Sequence, residues 1–220
     1  MKKPMVPIAL EGYPFILFCV FVTLVFGLLE LTVAATCGIV VTAFATWFFR
    51  DPERTVPDNP NAFVSPADGK VILIEKIFDD RFTNMDVHKV SIFMNIFNVH
   101  VNRIPHLGTV EKIMFKLGKF YSADTNRGAL YNEYCAMTVR TESIKKYGVV
   151  QVAGLVARRI TCLAEKEDLV NTGQRYGLIR FGSRLDLYLP LEVKINVSKG
   201  EKVRAGETVI GILHAEDRQG

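Results

Sequence analysis

The N-terminal quarter of the chain restricts its fold more than any other feature. Residues 13–49 read YPFILFCVFVTLVFGLLELTVAATCGIVVTAFATWFF, with one carboxylate, Glu30, between two apolar stretches. A helix needs roughly 20 residues to cross a bilayer core of about 30 Å, and residues 13–29 and 31–49 are each near that length. Two crossings, or a tight hairpin with its bend near residues 27–30, both fit. We therefore predict that residues 1–50 form a membrane-anchoring hydrophobic hairpin.

Two other interpretations of this segment are disfavoured. A signal peptide would explain Lys2 and Lys3 before an apolar run, but a second run follows at once and no small-residue cleavage pattern is present. A hairpin buried in a soluble fold remains an alternative, although helices that are apolar on all faces are unusual outside a membrane. Lys2, Lys3, Arg50 and Arg54 flank the two ends. Positive residues at both ends of a membrane hairpin favour the cytoplasmic side for both ends. We therefore predict that the protein lies in the cell membrane with the rest of its chain on the cytoplasmic face.

The remaining residues, 51–220, show a β-rich pattern. Several segments alternate or run apolar between turn residues, as strands do: FVSPADGKVILIEKI, VSIFMNIFNVHVNRIP, GTVEKIMF, EYCAMTVRT, YGVVQVAGLVARRITCL and RLDLYLPLEVKINV. Helix signals are few, and EKEDLVNTGQRYG is the best of them. We predict a mostly β fold, a sandwich or distorted barrel with few short helices, after the N-terminal helical hairpin.

The segment VSKGEKVRAGETVIGIL, residues 197–213, resembles the hammerhead half of biotinyl and lipoyl carrier folds. Those carriers present a modified lysine in a DK[AM] or MK[AM] setting, which this chain lacks. The likeness therefore predicts hammerhead-like halves in the fold and nothing about function.

Charge and cysteine content exclude several classes of function. The formal charge is +4 without a basic run, so no nucleic-acid partner is indicated. Cys19 and Cys37 lie in the anchor, while Cys135 and Cys162 lie singly in strand-like segments without CxxC spacing. Neither a disulfide framework nor a zinc site is predicted, and no other metal site is indicated.

A serine stands at a strand entrance near the C-terminus. In RFGSRLDLYLP, the pair Gly182-Ser183 precedes an alternation of Leu185, Leu187 and Leu189 with polar residues, which predicts a half-buried strand. Taken alone, Gly-Ser before a strand is common turn punctuation.

Two further residues give this serine a chemical context. His100 lies in NIFNVHVNRIP, where strand alternation places it on one face with Asn98 and Asn102, and Asp68 lies in the turn SPADG. An Asp, a His and a Ser can form an activated nucleophile in which the acid fixes the imidazole and the imidazole takes the hydroxyl proton. Asp68, His100 and Ser183 are the predicted catalytic residues.

Residues 50–213 resemble the short, single-domain form of phosphatidylserine decarboxylase, a family form that includes archaetidylserine decarboxylases. The motifs that carry the resemblance occur in family order: FFRDPER, SPADGKV, FMNIFNVHVNRIP, VNTGQRYGLIRFGSRLDLYLP and VSKGEKVRAGETVIG. One segment departs, because Asn132-Glu133-Tyr134 stands where the family usually has Asn-Glu-Arg.

The resemblance implies a specific chemistry. The serine of the GS pair becomes a covalent pyruvoyl cofactor when the chain cuts itself between Gly182 and Ser183, assisted by Asp68 and His100. The pyruvoyl carbonyl condenses with the amine of a serine phospholipid and accepts the electrons left by loss of CO₂, and His100 is expected to protonate the α-carbon. The implied activity is decarboxylation of phosphatidylserine or archaetidylserine to the ethanolamine lipid.

The same resemblance implies the partners. Residues 51–220 form the decarboxylase domain, and the fragments 1–182 and 183–220 stay together as a heterodimer that dimerises further. The other partners are the membrane and the lipid substrate. Independently of the resemblance, we expect Arg103, Lys89 and Arg54 to be ordinary solvated charges, and contact of one of them with the lipid phosphate is the alternative.

Two rival functions remain open on the sequence. A membrane-tethered serine hydrolase would use the same three residues, but the chain lacks GxSxG and the helices of an α/β-hydrolase. A hammerhead-type binding module on a membrane anchor would keep its chain intact and would need neither Asp68 nor His100.

Overall fold

The computed structural model describes residues 7–119, 121–142, 144, 146–154, 160–180 and 183–213, except the side chains of Asn126 and Ala129. The chain divides into two compact units, Met1–Glu53 and Arg54–Gly220.

The first unit is a helical hairpin. Helix α1 (Tyr13–Leu28) follows a short 3₁₀ turn and is joined to α2 (Thr32–Phe48) by a bend in which Glu30 has a φ of 59°. The helices pack closely, since Thr23 Oγ1 lies 3.3 Å from Thr42 Oγ1. A Cβ added to Gly38 would lie 2.5 Å from Thr23 Oγ1, so glycine permits the close approach. The predicted hairpin and the position of its bend are confirmed.

The two helices differ in length as membrane segments. Within the described residues, Leu10–Leu28 is the one helix long and apolar enough to cross a membrane, with a mean hydropathy of 1.9. Thr32–Phe48 is apolar but shorter. Two full crossings therefore stay a prediction.

The second unit is mostly β, as predicted. Its strands are β1 (Ala62–Val64), β2 (Gly69–Asp79), β3 (Met85–Met94), β4 (Val101–Arg103), β5 (Gly108–Lys116), β6 (Tyr134–Arg140), β7 (Lys146–Val152), β8 (Ile160–Cys162), β9 (Leu169–Val170), β10 (Arg175–Ile179), β11 (Ser183–Pro190), β12 (Val193–Ile195), β13 (Lys202–Val203) and β14 (Val209–Leu213). They form an eight-stranded sheet of order β13-β2-β3-β11-β7-β6-β5-β9 and two three-stranded sheets, β1-β14-β12 and β4-β10-β8.

Strand β11 lies between β3 and β7 and is buried on both faces. Leu185, Leu187 and Leu189 enter the main apolar core, as the alternation predicts. The prediction that the strand is half-buried is wrong, because the opposite face is also covered. There Arg184 donates to the Asp186 carboxylate, which makes burial of both charges possible.

The apolar segment VSIFMNIFNVHVNRIP is not one strand. Strand β3 ends at Met94 and β4 begins at Val101. The turn between them is closed by side chains, since Asn98 Oδ1 accepts from Asn95 N and Asn95 Oδ1 accepts from Phe97 N. Asparagine favours such turns because its side chain bonds nearby backbone groups, which apolar alternation alone does not reveal.

The helical signal in residues 165–177, which favours a turn or two of helix, is also wrong. That segment holds β9, turns and the start of β10, and positive φ values at Glu167 (71°) and Gly173 (76°) are incompatible with a continuous helix. In the described part of the second unit the helix is instead α3 (Asn126–Tyr131), where the Thr125 side chain caps the first turn by accepting from Gly128 N.

Two of the cysteines are closer than their spacing suggests. Cys135 on β6 and Cys162 on β8 are free thiols that lie close enough to interact, which their positions in the sequence do not reveal. Hydrogen bonding between the two thiols lowers the pKa of Cys162, and the same interaction with burial raises the pKa of Cys135. The contact joins two sheets and leaves no signature in the linear sequence.

Candidate functional site

Ser183 is the first residue of β11 and is completely buried. It pairs with Met94, the last residue of β3, and its Oγ lies 3.9 Å from Met94 Sδ. A thioether is a weak acceptor. No oxygen or nitrogen of the described residues forms a hydrogen bond with this hydroxyl. Gly182, on the other side of the predicted scissile bond, lies outside the described residues.

Asp68 lies in the turn before β2 and is held by an arginine. Arg54 Nη2 donates to both carboxylate oxygens, at 3.1 Å to Oδ1 and 2.9 Å to Oδ2, and Ala205 N donates to Oδ1 at 2.8 Å. The two side chains are 8% and 13% exposed, so the pair is largely desolvated. Among the described residues Asp68 therefore bonds to Arg54 and Ala205, and the expected bond to His100 is replaced by an ion pair.

His100 immediately precedes β4 and is completely buried. Its Nδ1 lies 2.9 Å from the carbonyl oxygen of Asn98. Because a carbonyl only accepts, this bond assigns a proton to Nδ1 and makes Nε2 the basic nitrogen of the neutral ring. The His100 carbonyl accepts from Ile179 N, which places the histidine against the end of β10 that leads towards Ser183.

Asp68 and Ser183 lie at one end of the large sheet, whereas His100 precedes β4 of a three-stranded sheet. Gly69, next to Asp68, begins β2, and β2 pairs with β3 through Lys70 and Phe93. Neighbouring strands lie about 4.8 Å apart, and β3 separates β2 from β11. Asp68 and Ser183 are therefore about 10 Å apart. Ser183 contacts Met94, and no bond between Ser183 and His100 is found among the described residues.

Two functional candidates were missed in the sequence. Asn102 Nδ2 donates to Met94 Sδ at 3.6 Å, and Gln151 Nε2 donates to Asn102 Oδ1 at 2.9 Å. All of these side chains are completely buried. The available signal was a lone amide within the apolar run VVQVAG, since a polar residue in a buried strand needs a partner.

The three basic residues considered for a lipid phosphate are mostly engaged elsewhere. Arg103 is 5% exposed and donates to Gly173 O at 3.0 Å, and Lys89 Nζ lies 3.9 Å from the Asp186 carboxylate. Together with the Arg54 ion pair, these contacts correct the alternative that the three are ordinary solvated charges. Within the described residues no three His, Cys, Asp or Glu side chains are grouped as metal ligands.

Comparison with known proteins places this chain in a family. The model of the family described as phosphatidylserine decarboxylase matches residues 41–211. A phosphatidylserine decarboxylase proenzyme from Desulfotalea psychrophila is 55% identical over 211 residues, 96% of this chain and 99% of the relative. Proteins of the same name from Syntrophus aciditrophicus and Geotalea uraniireducens are 48% and 47% identical, over 93% and 97% of this chain and 96% and 100% of the relatives. The chain is an enzyme that belongs to the phosphatidylserine decarboxylase family.

Proposed function

We propose that this enzyme decarboxylates phosphatidylserine to phosphatidylethanolamine with a pyruvoyl group made from Ser183. The observation that carries the proposal is the completely buried serine at the start of the central strand, in a chain whose family is shown at 55% identity. The relatives are named proenzymes, which supports formation of the active enzyme by processing.

The surroundings of Ser183 fit a pyruvoyl group. The site is dry, and the Oγ contact is a soft sulfur rather than a charged group. Conversion removes the hydroxyl and the amine of the serine, so the pyruvoyl group is no larger than its precursor and carries no charge itself. The pyruvoyl carbonyl supplies an electron sink for decarboxylation of an amine substrate.

The proposed self-cleavage forms the pyruvoyl group in three stages. Ser183 Oγ adds to the Gly182 carbonyl carbon, and its proton passes through a base to the Ser183 nitrogen. The peptide C–N bond then breaks to leave an ester and a free amine. Loss of the Ser183 α-proton breaks the Cβ–Oγ bond and releases Gly182 as a carboxylate. The remaining dehydroalanine becomes an imine, and water converts it to the carbonyl with release of ammonia.

His100 is the proposed proton carrier. With Nδ1 committed to the Asn98 carbonyl, Nε2 is the nitrogen that takes the hydroxyl proton and later delivers a proton to the substrate α-carbon. Asp68 is proposed as a positioning residue that acts through Arg54. Its carboxylate accepts from the Arg54 side chain and from Ala205 N, so it holds the turn before β2 against both residues.

The two fragments are proposed to remain associated. Strand β11 of the fragment 183–220 pairs with β3 along its whole length and with β7 over Arg184–Tyr188. Strands β13 and β14 pair with β2 and β1 of the other fragment. Further dimerisation stays part of the proposal.

We further propose that residues 1–50 anchor the decarboxylase domain, 51–220, to the cytoplasmic face of the cell membrane. The support is the apolar helix Leu10–Leu28, which is near the length a crossing needs. An anchor of this kind would hold the domain at the surface that contains its lipid substrate.

The hydrolase alternative is disfavoured by the position of Ser183. A hydrolase nucleophile stands exposed at a strand-to-helix elbow, whereas Ser183 is buried at the entrance of a strand. The binding-module alternative is superseded by membership of an enzyme family.

The test of function is release of CO₂ from vesicles that contain carboxyl-labelled phosphatidylserine. The wild-type enzyme is expected to produce one phosphatidylethanolamine for each CO₂, and His100→Ala to lower the rate about 10²–10⁴-fold, as loss of a general acid–base group does. His106→Ala, which removes another buried histidine outside the proposed mechanism, is the control. Wild-type protein that is folded and cleaved but releases no CO₂ would refute the proposed activity.

A further inference from the structure

Four exposed apolar side chains lie in two adjacent segments, where β5 ends and where α3 ends. We call them the apolar patch: Phe115, Leu117, Leu130 and Tyr131. Leu117 is 86% exposed, and each of the others is more than half exposed. The two segments are held together by backbone, since Lys119 N donates to Tyr131 O at 2.7 Å. Apolar side chains that are exposed as a group, unlike single ones, mark contact surfaces.

The apolar patch lies at the end of the large sheet that contains Ser183. Lys116 of β5 pairs with Tyr134 of β6, and Tyr134 pairs with Val152 of β7. Val152 pairs in turn with Arg184, which follows Ser183 in β11. This row of residues places the end of β5 three strand spacings, about 14 Å, from the start of β11.

Lysines flank the apolar patch. Lys112, Lys116 and Lys119 are exposed, and residues 112–119 contain no Asp or Glu. In the adjacent segment Glu133 is half-buried. Apolar and aromatic side chains beside lysines fit the surface of an anionic bilayer, because the apolar groups enter the headgroup region and the lysines attract lipid anions.

The opposite end of β5 has an equally exposed leucine in the opposite charge setting. Leu169 of β9 is 80% exposed and pairs with Thr109, near the start of β5. It follows EKED, residues 165–168, which holds three carboxylates and one lysine. Thr109 and Leu117 are eight residues apart, about 26 Å along an extended strand. Exposure alone therefore does not select a membrane contact, and an anionic surface would attract the lysine-rich end.

We propose that the apolar patch and its three lysines form a membrane-docking surface of the decarboxylase domain, specific for an anionic lipid bilayer. The inference rests on the proposed lipid substrate, because an enzyme with a dissolved substrate would not need such a contact. Phosphatidylserine is itself an anionic lipid, so a bilayer that holds the substrate has the charge that the lysines attract. Docking brings the end of the sheet that contains Ser183 to the lipid headgroups.

Docking is measured by tryptophan quenching in the full chain, reconstituted in vesicles of brominated phosphatidylglycerol. This lipid is anionic and is not the proposed substrate, so the charge of the vesicles stays constant. Trp47 is the one tryptophan of the sequence. Trp47→Phe combined with Leu117→Trp therefore reports on the apolar patch, and Trp47→Phe combined with Leu169→Trp is the matched control.

The Leu117→Trp chain should lose emission to the bromine atoms and shift to shorter wavelength. Docked side chains enter about 5–10 Å into the headgroup and acyl boundary, where these atoms can reach them. The Leu169→Trp chain should show neither change. Quenching of the Leu117→Trp chain should weaken when Lys116→Gln and Lys119→Gln are added, since each lysine near an anionic surface strengthens binding roughly fivefold. Equal quenching with and without the two lysines would overturn the specificity for anionic lipid.

The functional consequence is tested with Leu117→Ser. Decarboxylation of phosphatidylserine in a bilayer should fall about tenfold, the effect of losing the burial of one leucine. Self-cleavage and decarboxylation of a dissolved short-chain phosphatidylserine should stay at the wild-type rate, which a damaged fold would not allow. Leu169→Ser, which changes a leucine of similar exposure, should leave all three rates unchanged.

The failures of this inference and of the proposed function are distinguishable. If wild-type chain releases no CO₂ while the Leu117→Trp chain is quenched, the proposed function fails and the docking surface stands. If wild-type chain decarboxylates phosphatidylserine while the Leu117→Trp and Leu169→Trp chains are quenched equally, or neither is quenched, the inference alone is overturned. Emission of the Leu117→Trp chain that changes with protein concentration and not with brominated lipid would assign the patch to a second copy of the chain and would also overturn it.

Discussion

The Ser183→Ala chain is expected to remain a single species of full length and to release no CO₂ from phosphatidylserine. Alanine has no oxygen to add to the Gly182 carbonyl, so neither the ester nor the pyruvoyl group can form. The fold should survive, because Met94 Sδ is the one partner of the hydroxyl among the described residues, and loss of this weak bond leaves no strong donor unpaired. Denaturing gels, thermal unfolding and the CO₂ assay measure the three outcomes.

A matched control for this variant is Ser65→Ala. Ser65 is also completely buried, and its Oγ donates to Ala67 O at 2.7 Å. Its loss should cost about 1 kcal/mol of unfolding free energy while cleavage proceeds normally. Cleavage of Ser183→Ala at the predicted position would show that another group is the nucleophile.

The second large effect is expected from Arg54→Ala. Asp68 is 13% exposed beside Arg54, and this change leaves its carboxylate with one donor among the described residues, Ala205 N. Breaking a buried pair by removing one partner typically costs about 3–5 kcal/mol of unfolding free energy. Because the exposed edge of the pair is partly screened, we expect about 3 kcal/mol in denaturant unfolding of the full chain.

Two further variants test whether the stability loss of Arg54→Ala comes from leaving a buried charge unpaired. Arg204 pairs with Glu207, as Arg54 does, but its side chain is 74% exposed, so Arg204→Ala should cost at most about 1 kcal/mol. The double variant Arg54→Met with Asp68→Asn removes both charges and should recover part of the lost stability. Equal stability losses for Arg54→Ala and Arg204→Ala would contradict the role of the buried pair.

The sequence predicts local structure where a single periodicity decides it. The run 13–49 is apolar on all helix faces and so cannot form an ordinary amphipathic surface helix. It forms the predicted hairpin, with Glu30 at the bend. Most strands follow from alternation between turn residues. The error at residues 90–105 arises because the Asn95–Asn98 turn interrupts an apolar run that continues on both sides.

The candidate site was predictable as a set of residues but not as a set of contacts. Asp68, His100 and Ser183 stand out by motif, yet the partner of Asp68 is Arg54, a residue of the connector that sequence spacing could not assign. The contacts of Asn102 with Gln151 and of Cys135 with Cys162 cross from one sheet to another. Such pairs depend on how the sheets pack, which is a property of the whole fold.

The central claim is that the chain cuts itself before Ser183 and carries a pyruvoyl group there. The direct test is the intact mass of freshly purified, active wild-type protein. We predict two species that correspond to residues 1–182 and 183–220, the smaller about 4 kDa, as 38 of 220 residues in a chain of 24.7 kDa. The smaller fragment should have no free N-terminal amine and should react with hydroxylamine as a carbonyl. A single species of 24.7 kDa in a preparation that decarboxylates phosphatidylserine would contradict the account.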